Sequence, residues 1–149
     1  MKTKIAYFFI LSVLFVFGSC KKEDPQNEIQ DVPNEIPDVP VNFSLDPNST
    51  QYLELNVVNG WVYLTGGYRG ILVFRKSVTE FMAYERACPY DWDLANARLE
   101  VDVSGITAVC PSCQSKFILL DGSPYEGPSP YPMKQYQTTY DGILLYIYN

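Results

Sequence analysis

Histidine is absent from this 149-residue chain. Without it, the common nucleophile–base arrangements built on Ser–His or Cys–His cannot form, and no Gly-x-Ser-x-Gly element replaces them. Basic residues are few: 11 Lys and Arg stand against 17 Asp and Glu, a formal charge of −6, so nucleic acid is not an expected partner. Walker and dinucleotide-binding glycine motifs are missing too. Gly66, Gly67 and Gly70 fall between apolar runs and read as turn residues. No segment holds a helical period over ten residues. The longest uncharged apolar run, Ile5 to Phe17, is too short to span a hydrocarbon core of roughly 30 Å.

That run has the shape of a secretory leader: Lys2 and Lys4 precede it, and Gly18-Ser19-Cys20 closes it. Small residues directly before a cysteine resemble a bacterial lipobox. The resemblance implies cleavage before Cys20, lipidation there, and attachment to membrane lipid by more than one acyl chain. Lys21-Lys22-Glu23-Asp24 is similar to the charged export tags of surface lipoproteins in Bacteroidetes-type bacteria. The expected location is therefore extracytoplasmic, on the outer membrane or cell surface. Loss of residues 1–19 would leave nine basic and seventeen acidic residues, a charge of −8.

Seven acidic residues and no basic ones lie between Glu23 and Asp46, together with Pro25, Pro33, Pro37 and Pro40. Prolines remove amide donors and hold the chain near polyproline II, while like charges extend it. Residues 20–38 thus read as an acidic, proline-rich linker, and 39–149 as one domain with one core. Within the domain the pattern is β. Val41, Phe43 and Leu45 alternate, as do residues 52–57. Apolar runs follow at 61–64, 71–74, 80–84, 98–103, 106–109 and 116–120. A closing hairpin joins 135–139 to 143–148 through Asp141-Gly142. The fold class is all-β, an antiparallel sandwich or barrel-like pair of sheets.

Beyond Cys20 the cysteines are Cys88, Cys110 and Cys113, in two Cys-Pro loops: Cys88-Pro89-Tyr90-Asp91 and Cys110-Pro111-Ser112-Cys113. Three thiols in an oxidising compartment cannot all pair within one chain. The second loop runs into Gln114-Ser115-Lys116-Phe117, and Gly127-Pro128-Ser129-Pro130-Tyr131-Pro132 comes later. These segments, in this order over roughly residues 50–149, resemble the Rieske iron–sulfur family. That family's loops read Cys-x-His and Cys-x-x-His, followed by Gly-Ser-x-Phe and Gly-Pro-x-x-x-Pro. The resemblance implies an antiparallel Rieske-like sandwich whose two Cys loops form a small cluster-binding or metal-binding subdomain. It also implies supporting roles for Ser115, Gly127 and Pro128, a [2Fe–2S] cofactor, and a redox or envelope protein as partner.

Tyr90 and Cys113 stand where the family has its histidines, so the His₂Cys₂ ligand set and the raised potential it confers are not expected. With Asp91 in place of Tyr90 the loops read Cys-x-x-Asp and Cys-x-x-Cys, a spacing that suits zinc bound by three thiolates and one carboxylate. Three alternatives remain open at this level: a single ion on Cys88, Cys110, Cys113 and Asp91 or Tyr90; a [2Fe–2S] cluster on the same residues; or a metal-free site with Cys88 in a disulfide to Cys110 or Cys113. Thiol–disulfide exchange is not expected, because an apolar strand-like run, rather than a helix, follows the Cys-x-x-Cys. No catalytic residue is assigned. Glu85, Asp91 and Asp93 read as solvated loop charge, and Tyr90, Trp92, Tyr125 and Tyr131 as a candidate exposed aromatic tip.

Overall fold

A computed structural model describes residues 35–149. The leader, the lipidation cysteine Cys20 and the linker up to residue 34 lie outside the described residues. Among the described residues ten strands form two antiparallel sheets. The strands are β1 (Asn42–Leu45), β2 (Trp61–Leu64), β3 (Ile71–Arg75), β4 (Phe81–Glu85), β5 (Glu100–Val101), β6 (Thr107–Val109), β7 (Lys116–Ile118), β8 (Pro124–Glu126), β9 (Gln135–Tyr140) and β10 (Leu145–Tyr148). The larger sheet runs β1-β10-β9-β4-β3-β2 and the smaller β5-β6-β7-β8. The all-β antiparallel architecture is the one the alternation implies. Among the described residues no helix is long and apolar enough to cross a membrane.

The centre of the large sheet is covered on both faces, and its sequence shows why. All five residues of β3 are buried, and the run Ile71-Leu72-Val73-Phe74 is apolar without alternation. Leu72 and Phe74 join Tyr84, Leu99, Ala108, Phe117 and Leu119 in a core between the two sheets. Ile71 and Val73 face the other way, with Val41, Leu45, Leu55, Ala83, Tyr136, Leu145 and Ile147. Phe43 of β1 and Val62 and Leu64 of β2 pack on that second core, so the two edges of the large sheet curl toward each other. The Tyr84 hydroxyl donates to the Leu119 carbonyl at 3.0 Å and ties the sheets together.

Residues 52–57 differ from expectation. No strand forms there: residues 52–56 belong to a 3₁₀ segment, Thr50–Asn56, and Val57 caps its end. An Asp46 turn starts it: the Asp46 carboxylate accepts the Asn48 amide and the Asp46 carbonyl accepts the Ser49 amide. Leu55 is buried whereas Leu53 is 60% exposed, although strict alternation would place them on one face. Arg75 fixes the other end, its guanidinium donating to the Leu55 carbonyl at 2.7 Å. β2 is consequently an edge strand. At the near end, Ile36 is buried, and the Lys134 ammonium donates to the carbonyls of Ile36 and Pro37 and to the Asp38 carboxylate.

Candidate metal centre

Both Cys loops hang from strands that bound the inter-sheet core. Cys88 follows β4 by three residues, Cys110 directly follows β6, and Cys113 precedes β7. The loops are held by backbone bonds: Cys88 N–H to Ala97 O, Cys110 N–H to Ser115 O, and Gln114 N–H to Cys110 O, each at 2.9 Å. Closing the second loop so tightly places Gln114 at φ 63°, a left-handed conformation that glycine adopts without strain.

The result is one cluster. The sulfurs of Cys88, Cys110 and Cys113 all lie within 4.8 Å of one another. Cys88 and Cys113 are 3.7 Å apart, and all three are unbonded thiols. Cys88 and Cys110 are fully buried, while Cys113 is half-buried. Backbone amides of Tyr90 and Asp91 point at the Cys88 sulfur, and those of Ser112 and Cys113 at the Cys110 sulfur. Such donors favour negative charge on sulfur. The Cys88 thiol is pushed up by its hydrogen bond to Cys110 and then by burial. Cys110 is drawn down, to about 6, by the same hydrogen bond and by the Cys113 and Ser112 amides, against the opposing effect of burial.

Ser115 stands beside Cys113, and Gly127 packs on Ser115. Ser115 is fully buried; its hydroxyl accepts the Ser129 amide at 3.0 Å and lies 3.1 Å from the Cys113 sulfur. Gly127, at φ 96°, brings the proline loop against Ser115: a Cβ there would sit 2.5 Å from the Ser115 Cα. Pro128 is exposed beside it. Asp91 contributes its backbone amide to the cluster, and its carboxylate is outside the group of close ligand atoms. Tyr90, Tyr125 and Tyr131 are exposed, whereas Trp92 is half-buried and stands edge-on to Tyr68 with ring centroids 5.9 Å apart.

Glu85 is the clear departure among the carboxylates. It is fully buried rather than solvated, and does not pair with Asp91 or Asp93. One oxygen accepts the amides of Arg69 at 2.8 Å and Ala87 at 3.0 Å; the other accepts the Tyr68 amide at 2.6 Å and the Tyr136 hydroxyl at 2.8 Å. Four donors satisfy a group that would otherwise be costly to bury. Arg69, which the sequence did not mark, sends its guanidinium to the first Cys loop. Its partners lie 23 to 26 residues away, so no local spacing could have revealed them.

Fold and site together define an all-β, two-sheet protein with a cluster of three thiols, two of them buried, where two loops meet. No family model matches the sequence, and no curated protein matches it. Among solved structures, the ferredoxin of carbazole 1,9a-dioxygenase from Nocardioides aromaticivorans IC177 is similar. It is 16% identical, with a TM-score of 0.43, over 61% of this chain and 86% of that chain.

Proposed function

We propose that this chain is a lipid-anchored envelope protein whose Rieske-like domain holds a single metal ion of the zinc class on Cys88, Cys110 and Cys113. The observation that carries the reading is the sulfur geometry. A tetrahedral ion with Zn–S bonds of about 2.3 Å sets its sulfurs about 3.8 Å apart, and Cys88 and Cys113 stand at 3.7 Å with Cys110 alongside. Amides aimed at two of the sulfurs add to this, since metal-binding cysteines must be thiolates. The fourth position falls to water, or to Asp91 or Tyr90 after a side-chain rotation.

A [2Fe–2S] cluster fits less well. It needs four terminal ligands in two pairs, and ligands on opposite irons stand farther apart than ligands of one ion. Here there are three thiols in one tight group and no histidine. The ion's role is structural: it cross-links two loops, with Cys88 and Cys110 buried in the inter-sheet core and Cys113 packed against it. The alternative is a cofactorless module of the same fold that binds a protein on the envelope. Its support is the exposure of Tyr90, Tyr125 and Tyr131.

The deciding experiment is elemental analysis with thiol counting on protein purified without a histidine tag. One equivalent of zinc with three protected thiols is expected. Two irons with acid-labile sulfide would replace this reading by electron transfer. No metal, with a disulfide formed, would leave the binding module. The anchor is tested separately: Cys20→Ala should move the protein from the membrane fraction to the soluble fraction, and unchanged membrane attachment would refute lipidation at Cys20.

A further inference from the structure

The first Cys loop has little strand structure of its own to hold it. Between Cys88 and β5 it has one isolated bridge, Ala87 to Arg98, and turn bonds from Leu94 N–H to Asp91 O and from Ala97 N–H to Leu94 O. The carbonyls of Trp92, Asp93 and Ala95 find their partner outside the loop. Arg69 supplies all three: Nε donates to Trp92 O at 3.0 Å, Nη2 to Asp93 O at 3.1 Å and Nη1 to Ala95 O at 3.3 Å.

Arg69 is itself held at its backbone. Its amide and that of Tyr68 are the two turn donors taken by the buried Glu85 carboxylate, which also takes the amide of Ala87, the residue before Cys88. One carboxylate thus fixes both ends of a brace, the turn between β2 and β3 and the root of the Cys88 loop. The Tyr68 ring, stacked edge-on against Trp92, presses on the same stretch. The planar guanidinium fork suits three divergent carbonyls, and a lysine ammonium on a flexible stem does not reproduce that geometry.

We propose that Arg69, seated by Glu85, is the positioning residue of the thiol cluster: it clamps residues 92–95 so that the Cys88 sulfur is held against those of Cys110 and Cys113. Its consequence for metal affinity rests on the single-ion reading. Its consequence for Cys88 does not. Without the clamp, residues 92–95 open locally while both sheets, and the loop carrying Cys110 and Cys113, stay folded.

The test uses the full chain with Arg69→Ala and Arg69→Lys, labelled with iodoacetamide in the reduced, metal-free state and read cysteine by cysteine by peptide mass spectrometry. Cys88 should react about tenfold faster or more in Arg69→Ala, with Cys110 and Cys113 at their wild-type rates and the far-ultraviolet circular dichroism unchanged. Arg69→Lys should fall between the two. Zinc competition against a chelator should then show affinity lower by about 10-fold to 100-fold in Arg69→Ala, the usual effect of removing a residue that orients ligands. Equal acceleration of all three cysteines, or of none, overturns the proposal. Should Arg69→Ala not fold, Arg69→Lys gives the same comparison. A wild-type protein that takes no zinc refutes the metal reading but leaves the Cys88 labelling to decide the role of Arg69.

Discussion

Ser115 has one hydroxyl oxygen and two neighbours that use it, the Ser129 amide and the Cys113 thiol. Replacing it by alanine leaves the buried Ser129 N–H without its acceptor, a loss of about 1–3 kcal/mol. We expect Ser115→Ala to lower the urea midpoint by a corresponding amount without changing the slope, and to speed alkylation of Cys113. The resemblance marked Ser115 from its place in a short motif, and the structure supplies the reason the position needs a hydroxyl. Asp91 was marked by spacing alone. Counting residues placed it near a ligand position, but spacing does not specify which way a side chain turns, and its backbone amide faces the cluster. Glu85 was legible as a carboxylate and illegible as a buried hub, because three of its four partners lie 16 or more residues away.

The proline loop between β8 and β9 acts on the site through closeness. Gly127 is left-handed and lies against the Ser115 backbone, so Gly127→Ala combines backbone strain with a Cβ clash. Its expected cost is about 2–4 kcal/mol. A thermal melt should show the loss, and Cys113 alkylation should rise with it, since the loop that covers Ser115 must lift. A variant as stable as wild type would show that the loop can rearrange freely. The 3₁₀ segment teaches a different lesson. Residues 52–57 alternate like a strand, yet Asp46 starts a turn before them and Arg75, about twenty residues on, caps Leu55. A long-range cap outweighed a short alternation. By contrast, β3, β9 and β10 were readable because their burial is set by sheet faces that run their whole length.

Two cores share the large sheet, and each contains a tyrosine that resists ionisation. Burial raises Tyr84 well above its ordinary value, with the Asp121 charge adding to it. Burial also raises Tyr136, helped by its hydrogen bond to Glu85. A group raised in the folded state contributes its full stability below its unfolded pKa of about 10, and that contribution is lost as pH rises through the folded value. Stability should therefore fall above pH ~10. In an ultraviolet titration, these two phenols should appear late, together with loss of the folded circular dichroism. Normal titration of Tyr84 or Tyr136 in folded protein would mean that its core admits water. The all-β class, the two Cys loops and their order along the chain could be read from the sequence, because alternation and loop composition report burial and turns within a few residues. Which loops meet, which sulfurs close on one another and which arginine braces them could not. The Arg69 and Cys88–Cys113 contacts join residues 23 to 26 positions apart, and their partners are chosen by how two sheets pack rather than by local spacing.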